Sequence, residues 1–237
     1  MDAFSKNLGS LQQAILDAEY RELPGELCRC GTGQALYYCK DCFLSPLQCK
    51  SCIISTHSHI PFHHIHEWSG THFQRISPSS LGLLLQLGHH SGPCPNHSDS
   101  PPRDMTVIHT NGIHKYQLVF CHCVDAPSEP LQLTRSRLFP ATLERPETVF
   151  TFSVLDNFHM LSLTSKIPAY DYWNALVNLT DHVFPKTVKV RHISISTIIH
   201  SDQRARTNIV NFFGWDASGA TSQCCVEWAN FMALTIS

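Results

Sequence analysis

The stretch CRCGTGQALYYCKDCFLSPLQCKSCIISTHSHIPFHHIH, residues 28–66, decides how the first half of this chain is organised. Its cysteines fall in short pairs, Cys28-x-Cys30, Cys39-x2-Cys42 and Cys49-x2-Cys52, and His57, His59, His63, His64 and His66 follow. Farther along come a single Cys94 and a fourth pair, Cys121-x-Cys123, so nine of the 11 cysteines lie between residues 28 and 123. Cysteines scattered through a core would not pair off in this way. A secreted chain would staple them into disulfides. The N-terminus MDAFSKNLGSLQQAILDAEY, however, has no basic region and carries acids among its apolar residues, unlike a signal peptide. In a reducing compartment, paired thiols with histidines nearby read as metal ligands. Zinc is the expected ion, because it takes four thiolate or imidazole ligands in a tetrahedron.

Ligands arriving in successive pairs suit a cross-brace, in which pairs one and three hold one ion and pairs two and four the other. Cys28, Cys30, Cys49 and Cys52 form the first expected site. Cys39 and Cys42 with two histidines form the second, the imidazoles being His57 with His63 or His59 with His63, and His64 and His66 are left to solvent. Any one of these histidines alone would read as a surface or packing residue; the set points to a metal. The ordering is similar to B-box and related cross-brace fingers, although the spacing of the first pair departs from their commoner x2. A third expected site joins His89 or His90 to Cys94, Cys121 and Cys123, one imidazole with three thiolates. The adjacent Cys224 and Cys225 cannot chelate one ion comfortably and read as structural.

Composition narrows the function classes. The 237 residues are 43% hydrophobic, enough to bury a core, and 15% charged, against about 25% in an average soluble protein. The formal net charge of −2 excludes a basic, nucleic-acid-coating chain. Six thiolates around two divalent ions add a further −2, and a Cys3His site another −1, so the metal-loaded protein is acidic. Nucleic-acid binding would therefore need a local basic patch. Arg29, Lys40 and Lys50 are interleaved with Tyr37, Tyr38 and Phe43, but Glu26 and Asp41 offset them, and they read as a solvated face. The longest apolar run, Leu81 to Leu87, is broken by Gly82 and Gln86 and falls short of the roughly 18 residues of a membrane span.

Along the chain, Leu8, Leu11, Ile15 and Leu16 recur at helical spacing and predict an amphipathic helix over 8–20. An apolar segment over 71–87 and a polar loop over 89–104 precede a hairpin over 105–120, with a type I′ turn expected at Asn111-Gly112. Tyr116, Leu118 and Phe120 alternate along its second strand. A short strand over 149–152 leads to a helix that Ser153 and Asp156 are expected to cap, with Val154, Leu155, Phe158 and Leu161 on one face. A second helix starting near Pro168 aligns Tyr172, Ala175, Leu176 and Leu179. These stripes read as a core or a docking face. The expected fold is α+β: a small zinc-stabilised cross-brace (B-box-like) module, then a β-hairpin/zinc region and an α-helical segment. The expected divisions are an N-terminal helix over 1–23, a cysteine/histidine cluster domain over 24–125, a helical segment over 126–182 and a divergent tail over 183–237.

Four stretches carry a family resemblance: the cysteine-rich segment extended to 28–70, SLGLLLQLGHHSGPCP (80–95), VIHTNGIHKYQLVFCHC (107–123), and residues 131–182 with LFPAT (138–142) and SKIPAYD (165–171). Together they resemble the type-2 CxC-like cysteine cluster domain associated with the Kyakuja–Dileera–Zisupton (KDZ) transposases of fungi. The resemblance implies a zinc-chelating accessory region that precedes a ribonuclease-H-like transposase core. Its C-x4-H-x5-H pattern falls on Cys52, His57 and His63, which implies those two histidines as ligands. Its LG-H and F-C-x-C elements fall on His89, Cys94, Cys121 and Cys123. The resemblance stops at Asp181-His182, and 183–237 looks like neither the family's continuation nor a separate domain. An altered reading frame, a retained intron or a truncated element copy would produce such a tail. Asp202, Asp216 and Glu227 have no context that marks them as the core's metal-binding acids.

The reading that follows is a non-catalytic zinc-binding accessory domain of a KDZ-transposon-derived protein, for interaction with DNA or a protein partner. The alternative is a remnant of an active DNA transposase whose catalytic core is lost. Neither a membrane nor a small-molecule substrate is expected as a partner, and a ubiquitin-ligase or scaffold role would rest on module shape alone. Two zinc ions are expected from the cross-brace and a third from the later cluster. A nuclear location is implied by the family, with no clear basic import signal to support it.

Overall fold

A computed structural model describes residues 2–20, 24–89, 92–96 and 101–181. His90, Cys224, Cys225, Asp202, Asp216, Glu227 and the rest of the expected tail lie outside the described residues. The chain divides into two compact units, Met1–Leu83 and Leu84–Ser237. Helices and sheets are mixed, with five helices and two sheets among the described residues.

In the first unit, α1 (Asp2–Glu19) starts earlier than its apolar spacing predicts, and Leu8, Leu11, Ile15 and Leu16 along it are all exposed. The cysteine-rich stretch folds around a three-stranded antiparallel sheet in the order β1 (Tyr37–Cys39), β2 (Ile65–Trp68), β3 (Phe73–Ile76), with α2 (Lys50–Thr56) between β1 and β2. Cys39 pairs with Ile65 and Ile65 with Ile76 in register, so one sheet face collects apolar side chains. Tyr37, Cys39, Ile53, Ile65 and Leu81 form the core on that side, and Ile53 and Ile65 are wholly buried. This is a small core, in which one member, Cys39, and one flanking residue, Cys42, are cysteines. The single apolar segment expected over 71–87 is two strands, β3 and β4 (Leu84–Gln86), separated by turns over 78–82.

The second unit has a mixed five-stranded sheet in the order β4-β6-β5-β8-β7. The strands are β4 (Leu84–Gln86), β5 (Arg103–His109), β6 (Gly112–Val119), β7 (Leu138–Pro140) and β8 (Thr148–Thr151). The expected hairpin is β5–β6, but its two-residue turn is Thr110-Asn111, because His109 pairs with Gly112. Neither turn residue has a positive φ, so the type I′ geometry, which needs it at both, is absent. Gly112 has φ +135°, and a Cβ there would sit 2.9 Å from Thr180 Oγ1. Both this backbone conformation and the close approach of the helix that ends at Thr180 demand glycine here.

Three helices follow: α3 (Glu129–Arg135), which periodicity did not reveal, α4 (Phe152–Ser165) and α5 (Ala169–Thr180). The cap of α4 is Thr151 and not Ser153: its hydroxyl accepts the Val154 N–H at 3.3 Å. Pro168 is the N-cap of α5, just ahead of the first turn. The expected stripe along α5 is rotated. Leu176 is buried, Tyr172 and Trp173 pack beside it, while Ala175 and Leu179 are exposed. Ile108, Phe139, Phe150, Val154, Leu155 and Leu176 form the core, so both helices and three strands share one apolar cluster.

Candidate metal centres

Each expected ligand set is built by local chain geometry. Cys28 and Cys30 lie in a turn closed by the Cys28 N–H donating to the Gly33 carbonyl at 2.8 Å and the Gly31 N–H donating to the Cys28 carbonyl at 2.7 Å. Gly31 has φ +75°, a backbone conformation that glycine adopts without cost. Cys49 is the N-cap of α2 and Cys52 lies in its first turn, where x2 spacing turns both side chains to one side. The four sulfurs lie within 4.8 Å of one another, and Cys30 Sγ is 3.5 Å from Cys49 Sγ.

The second set uses the other end of the same helix. Cys39 closes β1, with its N–H donating to the buried Ser45 Oγ at 3.0 Å. His57 is the C-cap of α2 and 2% exposed. Its Nδ1 lies 2.8 Å from the Ile53 carbonyl, which puts the proton on that nitrogen and leaves Nε2 facing Cys42 Sγ at 3.6 Å. Burial lowers the pKa of His57, favouring the neutral, ligating form. His63 brings Nδ1 within 3.5 Å of Cys39 Sγ and 3.3 Å of Cys42 Sγ. His59, the alternative imidazole, is exposed and outside this group.

Two histidines expected to be solvated are not. His64 Nδ1 sits 2.8 Å from Asp41 Oδ2, and the same oxygen accepts the His64 backbone N–H at 2.7 Å. Burial opposes ionisation of Asp41, but the ring and amide of His64 outweigh it and hold the carboxyl at about 2. This clamp ties the segment carrying His63 to the Cys39–Cys42 turn, a positioning role that the spacing did not reveal. His66 stacks on Tyr38, ring centroids 5.1 Å apart.

The third set, in the second unit, depends on strand pairing. β4 runs parallel to β6, pairing Gln86 with Val119, and so brings the segment after Gln86 beside the segment after Val119. Cys94 Sγ lies 3.7 Å from both Cys121 Sγ and Cys123 Sγ, and His89 Nε2 lies 3.3 and 3.5 Å from the latter two. A Cβ at Gly88 would fall 2.8 Å from Cys121 Cβ, so glycine is what lets the two segments close. Gln132 on α3, 4% exposed, accepts the Cys121 N–H at 2.8 Å and donates to the carbonyls of Cys121 and Pro127. No sequence signal marked it.

The donor geometry suits a tetrahedral ion. Bonds of about 2.3 Å to sulfur and about 2.05 Å to nitrogen separate two sulfurs by about 3.8 Å and sulfur from nitrogen by about 3.6 Å. The contacts above match both edges. Packed thiols cannot all ionise without a cation among them. The Ser51 hydroxyl and the Cys52 amide lower Cys49 to about 5, while contact with Cys30 and Cys49 pushes Cys52 up to about 12. Burial raises Cys39 to about 12. In the third set the backbone N–H of His122 lowers Cys94 to about 6, and Cys121 and Cys94 raise Cys123 to about 11. A divalent ion at each centre removes that conflict. All three sets can hold a metal.

A family model described as the CxC2 like cysteine cluster associated with KDZ transposases matches residues 79–183. That segment is similar to the CxC2-like cysteine cluster. By that description it is an accessory cluster and not a catalytic core. The CxC2-like match starts at Ser79, later than the resemblance expected over 28–182, and so holds the third metal centre while the first two lie N-terminal to it. Comparison with curated proteins and with solved structures gave no match. No helix among the described residues is long and apolar enough to cross a membrane.

Proposed function

We propose that this chain is a non-catalytic interaction module of a KDZ-transposon-derived protein, organised by three zinc ions. One ion is held by Cys28, Cys30, Cys49 and Cys52, one by Cys39, Cys42, His57 and His63, and one by His89, Cys94, Cys121 and Cys123. The observation that carries the reading is that each set offers four thiol or imidazole donors whose ligand atoms all lie within 4.8 Å of one another. Four protein ligands close a zinc ion, whereas a catalytic zinc keeps a position open for water. The ions then act as core: structural zinc contributes roughly 10–16 kcal/mol of apparent binding energy to small folds. The family association supports a nuclear setting and a transposon-related partner, nucleic acid or protein.

Native mass spectrometry of the full chain loaded with zinc tests this. Three ions are expected. Two, with the Cys94→Ser variant also holding two, would remove the third centre. None, in a chain that still folds, would overturn the reading.

A further inference from the structure

The three-stranded sheet of the first unit has two unlike faces. Tyr37, Cys39, Ile65 and Ile76 point to the core, and Tyr37 OH donates to Glu67 Oε1 at 2.7 Å on that side. The alternate residues point the other way. Tyr38 pairs in register with His66 and His66 with Arg75, while Trp68 pairs with Phe73. Their rings form a continuous aromatic surface. Tyr38 stacks on His66 at an interplanar angle of 18°, Phe73 meets Tyr38 edge-on at 4.9 Å, and Trp68 lies 5.0 Å from Phe73. All four rings are partly exposed, and none belongs to the apolar core.

Two exposed cations flank these rings. Lys40 follows β1, its N–H continuing the ladder to the His64 carbonyl at 2.9 Å, and Arg75 lies on β3. Both face His66: after burial, their charges are the next largest causes that lower its pKa. Half-exposed rings with cations at the rim, in a protein whose net charge is −2, suit a ligand that brings flat faces and negative charge together.

We infer that this sheet face binds single-stranded nucleic acid, with bases stacked on Trp68, Phe73 and Tyr38 and phosphates against Lys40 and Arg75. The inference rests on the zinc-organised module proposed above, because Cys39 and His63 bracket β1 and β2. Single strands are the partner because their bases are free to stack on aromatic side chains, whereas those of a duplex are not. Two cations are too few for a surface that coats duplex phosphates but enough to seat a short strand whose affinity comes mainly from stacking.

Fluorescence anisotropy of the full, zinc-loaded chain with labelled oligothymidylate of about 12 nucleotides tests it, the zinc content of every variant being measured alongside. Trp68→Ala should weaken binding about tenfold or more and Trp68→Phe far less, since stacking contributes about 1–3 kcal/mol per base. Lys40→Ala and Arg75→Ala should each make the slope of log affinity against log salt shallower by about 0.7. A wild-type chain that holds its zinc but does not bind the oligonucleotide would overturn the inference and leave the metal reading intact. So would equal binding by Trp68→Ala and Tyr38→Ala variants, or equal competition by a duplex or by polyglutamate. A wild-type chain without zinc would instead remove the reading beneath it.

Discussion

In Met1–Leu83 the larger buried cluster is five residues, one of them Cys39, interleaved with two ligand sets that draw on six cysteines and two histidines; in Leu84–Ser237 one cluster of six buried apolar residues joins two helices to three strands, and one ligand set sits at the end of the sheet. The first unit's α2 carries a candidate ligand at its N-cap, its first turn and its C-cap, so binding a metal there would couple coordination directly to the helix. In the second unit the ligands lie on segments beyond β4 and β6, outside the apolar cluster. A metal ion held by these sets would therefore substitute for hydrophobic burial in one unit and act as a clasp in the other.

Breaking that contrast calls first for metal removal. Cys49→Ser, or chelation, should unfold the first unit while β5, β6 and β8 stay protected, an effect on the scale of the roughly 10–16 kcal/mol of structural zinc. Hydrogen exchange resolved by segment reads it, and protection retained over 37–76 would show that the small core suffices alone. The opposite experiment is Leu176→Ala. It should destabilise the second unit by about 2–5 kcal/mol by leaving a cavity beside Phe150 and Val154. The zinc count should stay unchanged, with denaturant melts and metal content measured together; loss of an ion would mean the clasp and the core are one structure.

Smaller effects sharpen the comparison. Gln132→Ala leaves the Cys121 amide without its partner, at about 1–3 kcal/mol. It should weaken the third centre by about 10–100-fold without touching the first two, as competition with a chromophoric chelator would show. Asp41→Asn should cost about 1–2 kcal/mol in the first unit by loosening the His64 clamp, read by thermal melting at neutral pH. Because the folded carboxyl is held at about 2, below its ordinary value of about 3.9, its contribution is fully present above pH ~4 and fades as pH falls through about 2. Ligand protonation releases the metal before that, which is why the neutral-pH variant is the cleaner measurement.

What could be read before folding was local. Pairs such as Cys39-x2-Cys42 and Cys49-x2-Cys52 carry their own geometry, because a turn or a helix start of that length points two sulfurs to one side whatever surrounds it. The alternation of Tyr116 and Leu118 marked a strand for the same reason, and both are buried. Where several similar residues crowd together, spacing alone leaves His57 and His59 open; the family resemblance favours His57, and burial and the Ile53 carbonyl supply the physical reason. The α5 stripe was misread by one position because helical spacing defines a face but not which part of it meets the sheet.

The sequence by itself determined which residues are chemically able to ligate and which short segments bring them in pairs. The cross-brace order also said which pairs should meet, but only the tertiary structure supplies the contacts that bring them together. His89 reaches Cys121 and Cys123 through the parallel pairing of β4 with β6, a contact between distant segments that no short window encodes. Gln132 becomes a clamp only because α3 packs where the Cys121 amide needs an acceptor. Tyr37 and Tyr38 are chemically identical neighbours, yet the pleat sends one into the core and the other onto an aromatic, cation-flanked surface. The period of a strand alternates its side chains, but only the register of β1 on β2 and β3 says which side is buried and what gathers on the other.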